Sequence, residues 1–553
     1  MKEAALLAAF AALILVDLGA VALIDYDEAA YAQVAHEMLL RGDWWAPSLG
    51  GEPFFEKPPL LYWGQILGYR WLGVSALGAR AGNALAGLAT LAALYAFSRR
   101  PLGARVARLG ALVLGSSLVF VSLARVALTD LWLLLFIVLA LGCLHRALEA
   151  AGSERAGGSL WFAAFGACCG FAMLAKGAAG AVLPAAAGLL HLAGLRRLSL
   201  LLRPAWWLPS GALLLGIGLA WYLVLGLTRP DGFAFLSELF LEQHIERFLH
   251  PMHGHRGSIL YYVPVLALAF VPWSAFLPVA LARRPGLDGE RERWLRLVGL
   301  HSAVAFVLFS AAATKLPHYI VPAFPGLALW VADRLAGDAP PGRRSLAASV
   351  AATVVLLIAL AGVLATAESI AAALPAWLGE KANDVPGLAH PLDLGPGLPA
   401  AALAALATAA VVIASRRAPR RLALRLGLGS LVVWALLAWT VMPRWDAHFQ
   451  RPLRDLAVQA AAGQDTGEPL LLVGLPRRPS VLFYAGRAAE YTSGRRTERV
   501  ALRLKGPPLR LAISSRATFD GLARSLPVEA ISQDTGYVLF RAAEPPSGRD
   551  ALP

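Results

Sequence analysis

Cysteine and charged residues are both scarce in this 553-residue chain. The three cysteines, Cys143, Cys168 and Cys169, all lie in apolar runs. They are interpreted as small core residues, which excludes a disulfide framework and a cysteine zinc site. Charged residues make up only 16% of the chain, hydrophobic residues 58%, and mean hydropathy is +0.60. Because a soluble globular chain is roughly 45–50% apolar, this composition indicates a polytopic α-helical membrane protein.

Acidic residues are also few, at 36 against 50 lysines and arginines, which gives a net charge of +14. In a soluble protein such an excess would suggest nucleic acid as a partner. Here the arginines form short clusters between hydrophobic runs. Membrane topology and contact with anionic lipid headgroups explain that pattern, so no nucleic-acid partner is expected.

Thirteen hydrophobic runs approach the ~20 residues that cross a bilayer. They lie at about 4–24, 74–98, 107–125, 130–146, 159–176, 178–195, 207–227, 259–281, 297–313, 318–335, 346–372, 397–415 and 426–442. The first run is interpreted as a retained helix because no convincing signal-peptide cleavage site follows it.

Arginine clusters follow every even-numbered run, beginning with Arg99 and Arg100 and ending with Arg416–Arg425. The positive-inside rule places those loops in the cytoplasm. The alternate loops are then external, and so is everything after residue 443. The predicted external segments include loops 25–73 and 228–258 and the turns at Asp130, Lys176 and Lys315. The unusual polar residues are therefore predicted to share one face of the membrane.

The chain divides into a predicted transmembrane catalytic domain, 1–442, and a tail, 443–553. Strands are predicted at Leu470–Gly474, Leu509–Ile513 and Tyr537–Arg541, with a helical stretch near 516–525. This pattern favours a small α/β domain with a core of its own. The tail shows no catalytic motif.

Loop 25–73 begins with Asp25-Tyr26-Asp27-Glu28 and later contains Phe55-Glu56-Lys57-Pro58-Pro59. Charged groups beside a bilayer are costly, so such a cluster is a functional-site hypothesis. Acids at one end and a lysine at the other suit a site that binds an anion and performs acid/base or electrostatic chemistry. Many of the loop's aromatic residues have the simpler explanation of an interfacial belt.

Other candidate residues are scattered along the external turns. Asp130 opens a helix, where it is equally explained as an N-cap. His244 and Arg247 lie three residues apart in loop 228–258, hence on one helical face, whereas its other histidines lack metal-ligand spacing. Lys176 has the plain interpretation of a snorkelling lysine. Lys315, His318 and Tyr319 place a cation, an imidazole and a phenol at an external helix end.

Taken in order, these motifs resemble the bacterial 4-amino-4-deoxy-L-arabinose (lipid A) transferase family, in the protein-mannosyltransferase-like group of GT-C glycosyltransferases. The motifs are Asp27-Glu28, Glu56-Lys57-Pro58-Pro59, Asp130, His244-Ile245-Glu246-Arg247-Phe248 and Lys315-Leu316-Pro317-His318-Tyr319. The departure is Ala30, where relatives often carry arginine, and it bears on substrate identity more than on reaction class.

The resemblance implies a GT-C fold with about thirteen transmembrane helices and a periplasmic α/β tail, in a multi-pass, monomeric protein of the bacterial inner membrane. The implied reaction moves a sugar from undecaprenyl phosphate to lipid A on the periplasmic face. The alternative is transfer of a polyprenyl-phosphate-linked sugar to protein or another glycan. A lipid or sugar transporter is less favoured, because transporters place charges near the midplane of repeated halves.

The resemblance also implies roles for individual residues. Asp27 is the catalytic acid and Asp130 supports it, while Lys57 and Arg247 hold the carrier phosphate. The substrate site is lined by Tyr31, Glu28, Lys315, His318 and Tyr319. No cofactor is required, but a divalent metal such as zinc is possible at Glu56, Asp130 and His244.

Overall fold

The computed structural model describes the chain apart from residue 1 and residues 153–156, 238–249, 251–256, 283–285, 287, 339–340, 465–467, 495–496, 505–509 and 544–553. Helices dominate the described residues up to 462. They are α1 Lys2–Leu15, α2 Asp27–Arg41, α3 Leu60–Leu72, α4 Ala76–Gly115, α5 Leu118–Ala124, α6 Asp130–Gly152, α7 Gly158–Lys176, α8 Ala178–Gly194, α9 Pro204–Gly218, α10 Ala220–Thr228, α11 Phe235–Ser237, α12 Tyr262–Ala269, α13 Leu277–Leu281, α14 Gly289–Ala311, α15 Phe324–Ala336, α16 Arg343–Leu378, α17 Gly397–Ala414, α18 Pro419–Leu436, α19 Met442–Phe449 and α20 Arg451–Ala462.

Each predicted hydrophobic run overlaps a helix. Among the described residues, seven helices are long and apolar enough to cross a membrane, or nine if two bent pairs each count as one span. The protein is therefore a multi-pass membrane protein with the predicted helical fold. The count of thirteen stays a prediction.

Two predicted runs have an internal structure that their sequence did not indicate. The second and third runs join in the 40-residue element α4, which is interrupted at Gly103, where φ is +80°. Only glycine adopts this left-handed conformation without strain. The eighth run is folded back, because α12 and the segment Trp273–Leu281 meet at 113°. Pro272, which has no backbone N–H, lies in that break.

The arginine-rich loops contact one another at one end of the bundle. Arg100 pairs with Glu290 at 3.3 Å and Arg293 with Glu149 at 2.6 Å. Asp130 is the first residue of α6, and Glu149 lies 19 residues further along, near the last residue of the same helix. At 1.5 Å per residue these ends are about 28 Å apart, close to the thickness of a hydrocarbon core.

The C-terminal part contains a five-stranded sheet, whereas the two-residue strands β1 Ser48–Leu49 and β2 Glu52–Pro53 pair in the first long loop. The sheet has the strand order β4-β3-β5-β7-β6. Its strands and helices are β3 Leu470–Val473, α21 Pro479–Ala485, β4 Ala489–Thr492, α22 Thr497–Leu504, β5 Ala512–Ser515, α23 Arg516–Ala523, β6 Val528–Asp534 and β7 Tyr537–Ala542. Strand β3 runs parallel to β4 and β5, and β7 runs antiparallel to β5 and β6.

Helix α21, which follows β3, packs against the first part of the chain. Phe483 of α21 joins the buried cluster that includes Tyr31, Tyr62 and Tyr69. The hydroxyl of Tyr484 accepts a hydrogen bond from the backbone N–H of Leu23 at 2.8 Å. The predicted division at residue 443 therefore does not separate two units without contact, and as a domain boundary it stays a prediction.

Candidate active site

Two aspartates from distant parts of the chain each occupy the first residue of a helix. Asp27 begins α2 and Asp130 begins α6. The N-terminus of a helix carries partial positive charge, so a carboxylate is stabilised there. Asp27 is exposed, whereas Asp130 is buried. The two acids thus have similar backbone positions but different surroundings.

Asp130 is held by basic side chains from two other elements. Lys176, the last residue of α7, places its Nζ 2.6 Å from Asp130 Oδ1. His318 Nε2 lies 3.8 Å from Oδ2. The same lysine Nζ lies 4.5 Å from the centre of the Tyr319 ring. This ion pair supplies the charge compensation that a buried carboxylate requires.

Lys57 lies on the Asp27 side of the site. Its Nζ is 4.0 Å from Glu56 Oε2 and 5.9 Å from the centre of the Tyr31 ring. Asp27 and Lys57 both act electrostatically on His318, as do Asp130 and Lys176. These five residues form one group, which we call the acid–lysine cluster. The structure therefore brings together four predicted site residues and Lys176.

Tyr31 and Tyr62 form the buried floor beside this cluster. Their ring centroids are 6.2 Å apart, and both side chains are almost fully buried. Burial, reinforced by the nearby charges of Asp27 and Glu56, raises the pKa of each phenol well above its usual value. Both phenols therefore remain neutral near pH 7 and keep a hydroxyl proton that is available for hydrogen bonding.

Glu28 points away from Asp27 into a buried ion pair. Its carboxylate accepts hydrogen bonds from Arg80 Nε at 2.7 Å and Nη2 at 2.8 Å. It also accepts from the backbone N–H groups of Ile24 and Ala127, both at 2.9 Å. Four donors thus occupy this carboxylate. Its role in binding substrate stays a prediction, and the structure shows a role in tying loop segments together.

Arg80 and Asn83 on α4 hold the segments that precede the two aspartates. Arg80 donates to the carbonyls of the chain before Asp27, including Val21 at 2.7 Å and Ala22 at 2.9 Å. Asn83 donates to the carbonyl of Leu123 in α5 at 2.8 Å and to that of Val126, in the turn before α6, at 2.5 Å. One turn of one helix therefore fixes the positions from which both aspartates project.

Lys315 lies just beyond the C-terminus of α14, and its side chain turns back onto that helix. Its buried ammonium donates to the carbonyls of Phe309 at 3.0 Å and Ser310 at 2.6 Å, at the C-terminus of α14. It also lies 5.6 Å from the centre of the Tyr262 ring. Cations stabilise the negative end of a helix. Its predicted role in binding substrate remains untested.

The predicted residues His244 and Arg247 lie outside the described residues. In the part that the structure describes, no three His, Cys, Asp or Glu side chains form a metal-binding group. Asp130 has a lysine ammonium where a metal would bring positive charge, and Glu56 lies beside Lys57. The metal set of Glu56, Asp130 and His244 stays a prediction.

Two features of the site were not among the predicted site residues. Lys176 was interpreted as a snorkelling lysine, although the predicted topology had already placed its turn on the same face as Asp130. The tail was predicted to carry no motif, yet it reaches the first loop, where Ser480 donates hydrogen bonds to Asp25 at 2.9 and 2.5 Å. No local pattern indicates that contact, because it joins residues 455 positions apart.

Residues 3–229 match the family model described as dolichyl-phosphate-mannose-protein mannosyltransferase. The chain is also similar to undecaprenyl phosphate-alpha-4-amino-4-deoxy-L-arabinose arabinosyl transferases. The Edwardsiella ictaluri protein is 33% identical over 319 residues, covering 56% of each chain. The protein of Pseudomonas aeruginosa strain PAO1 is 33% identical over 331 residues, covering 60% of this chain and 59% of the relative. The chain thus spans little more than half the length of these relatives.

The crystal structure of ArnT from Cupriavidus metallidurans bound to undecaprenyl phosphate is similar over 98% of this chain and 99% of that one, with a TM-score of 0.79 and 21% identity. The apo structure of the same protein gives the same TM-score. The protein has the fold of these two structures, which is the predicted GT-C fold. Its resemblance to the bacterial 4-amino-4-deoxy-L-arabinose transferase family, inferred above from motifs, is confirmed by these similar relatives.

Proposed function

We propose that this protein is an integral-membrane glycosyltransferase that moves 4-amino-4-deoxy-L-arabinose from undecaprenyl phosphate to lipid A, on the periplasmic face of the bacterial inner membrane. The acid–lysine cluster carries the proposal. It sets an exposed carboxylate, Asp27, beside cations at one end of a helical bundle, on a chain that resembles aminoarabinose transferases.

The donor half of the reaction needs a stabilised leaving group. The acceptor oxygen attacks the anomeric carbon, and the bond from that carbon to the carrier phosphate oxygen breaks. The electron pair stays on the phosphate, so undecaprenyl phosphate leaves as an anion. Lys57 is positioned to stabilise this developing charge in a partly dehydrated site. The carboxylates of Asp27 and Asp130 suit the positive charge that develops on the sugar ring.

The acceptor half depends on the charge of the attacking oxygen. A phosphate of lipid A is already largely ionised near neutral pH, because its second pKa is about 6. Asp27 then has no proton to remove and instead orients the acceptor or contacts the ammonium of the amino sugar. An acceptor hydroxyl, in contrast, carries a proton that Asp27 would take as a general base.

A second candidate follows from the matched family model, whose description names a protein mannosyltransferase. In that case the acceptor is a hydroxyl group of protein or of another glycan. Purified protein incubated with lipid-linked aminoarabinose and either lipid A or a hydroxyl acceptor separates the two candidates. Mass spectrometry identifies which acceptor gains the sugar.

The test of the site is Asp27→Asn in purified, full-length protein. We expect sugar transfer to be abolished while binding of undecaprenyl phosphate survives, because Lys57 remains in place. Asp43→Asn is the matched control, since Asp43 lies in the same loop and, among the described residues, its side chain accepts only from the N–H groups of Trp45 and Ala46. Transfer at the wild-type rate by Asp27→Asn would remove Asp27 from the mechanism.

A further inference from the structure

Helix α21 of the C-terminal part contacts the first loop, and it follows the loop at the carboxyl end of the parallel strand β3. Ser480, which donates both its N–H and its hydroxyl to Asp25, follows the loop that leaves β3. In the same loop, the N–H of Arg478 donates to the hydroxyl of Tyr491, near the end of β4, at 3.1 Å. Ligand sites of open α/β sheets form at the carboxyl edge of the parallel strands. Here the edge lies beside the segment that leads to Asp27.

Arg477 lies in the loop between β3 and Ser480 and is exposed. Its neighbour Arg478 donates to the carbonyl of Asp384. Arg477, by contrast, forms no hydrogen bond or ion pair with any residue in the described ranges. It acts electrostatically on Tyr26, as do Asp27 and Glu56. The hydrogen bonds from Ser480 to Asp25 therefore hold the loop that carries the unpaired Arg477 guanidinium against the segment that precedes Asp27.

We propose that Arg477 binds a phosphate group of the acceptor glycolipid, so that the sheet edge supplies part of the acceptor site. This inference rests on the proposed function. The donor phosphate is assigned to Lys57, in the membrane part of the cluster. Arg477 lies in the loop after β3 of the C-terminal sheet, so it is available to bind a second anion. A guanidinium is the group best shaped to hold phosphate through two parallel hydrogen bonds.

The experiment measures KM separately for lipid A and for the lipid-linked sugar, with full-length Arg477→Ala in nonionic detergent. Loss of a charge-assisted hydrogen bond predicts a rise in KM for lipid A of about tenfold or more. The donor KM and the rate at saturating lipid A should stay near wild type. Arg477→Lys, which keeps the charge but loses the planar fork, should fall between.

Arg524→Ala is the matched control. Arg524 is also exposed, and its replacement by alanine removes the same charge. It follows the C-terminus of α23, a helix that begins at the carboxyl end of β5 and leads away from it. We expect its KM for lipid A to equal that of wild type. If Arg477→Ala does not fold, which thermal unfolding detects, Arg477→Gln keeps most of the side chain and replaces it.

Three outcomes would overturn the proposal. They are an unchanged KM for lipid A, a rise in the donor KM alone, and an equal effect of Arg524→Ala, which would indicate general attraction to anionic lipid. A wild-type protein that transfers no sugar to any acceptor would instead refute the proposed function. Failure of the two ideas is therefore distinguishable.

Discussion

Replacing Glu28 by glutamine should destabilise the membrane part more than any exposed substitution of the same kind. Both Glu28 and Arg80 have side chains exposed by 3% or less. Solvent screening is therefore weak, and each charge depends on the other for compensation. Because glutamine is neutral, Arg80 would remain buried without a counter-charge. The amide NH₂ would also face the donors that now surround the carboxylate.

The magnitude follows from the burial of this pair. Removing one partner of a buried ion pair costs about 3–5 kcal/mol, because the other charge is left uncompensated. At 1.4 kcal/mol per factor of ten, this is a shift of roughly two to three and a half orders of magnitude in the folding equilibrium. Glutamine also keeps only one acceptor oxygen, so one of the N–H groups of Ile24 and Ala127, which hold the segments before Asp27 and Asp130, loses its acceptor.

Thermal unfolding of detergent-solubilised protein, followed by tryptophan fluorescence, measures the effect. Glu52→Gln is the matched control, because Glu52 is an exposed acid of the same loop, 25–73. We expect the unfolding temperature of Glu28→Gln to lie well below that of wild type, and the unfolding temperature of Glu52→Gln to equal that of wild type. The combined loss of Glu28 and Arg80 should cost less than the sum of the single losses, since contacting residues are not additive.

The informative contrary result is wild-type thermal stability together with a raised KM for a substrate. It would refute the structural role and support the prediction that Glu28 binds substrate. Loss of both stability and activity agrees with the structural role, because the released segments carry the two aspartates. Glu28→Asp, which keeps the charge on a shorter side chain, should recover part of the stability.

Further predictions concern the cluster and the sheet contact. Lys176→Met should lower kcat/KM for transfer by at least about tenfold, since Asp130 loses its buried counter-ion. Lys176→Arg keeps the positive charge and should retain part of the activity. Lys57→Ala should weaken undecaprenyl phosphate binding about tenfold or more in a direct binding assay, through loss of one charge-assisted contact. Unchanged affinity would remove Lys57 from the phosphate site. Burial raises the pKa of Asp25, despite the hydrogen bonds from Ser480. The folded protein therefore retains a proton there that the unfolded chain has lost, so stability should fall as pH rises from about 4 through the folded pKa and should then level off. Asp25→Asn should flatten this slope in pH-dependent unfolding. Transfer should persist in EDTA, because Lys176 already compensates Asp130; a loss of activity would support the predicted metal set.

The sequence allowed prediction of features that depend on local pattern. The length of the apolar runs indicated the helical fold, and Asp130 begins a helix as predicted. In the tail, the strands at Leu470–Val473 and Tyr537–Ala542 lie where apolar runs predicted them. The third predicted strand, Leu509–Ile513, lies at Ala512–Ser515 instead.

Features that depend on distant partners were not predictable. Strands β4 and β6 were missed because they are the edge strands, only partly buried, and lack an apolar run. The partner of Glu28 is 52 residues away, and the contact between Asp25 and Ser480 spans 455 residues. Buried ion pairs of this kind are specified by packing, so sequence alone showed costly charges without their partners.

The different surroundings of Asp27 and Asp130 predict different roles for the two carboxylates. Asp130 is buried with its carboxylate held by Lys176, so it cannot swing toward an acceptor without breaking that pair. Asp27 is exposed and forms no ion pair within the described part of the chain. Because only an accessible carboxylate can meet an acceptor, we expect Asp27 to be the acid that contacts it and Asp130 to position Lys176 and His318. Whether Asp27 then removes a proton is decided by the acceptor: a hydroxyl has one to lose, and an ionised phosphate does not.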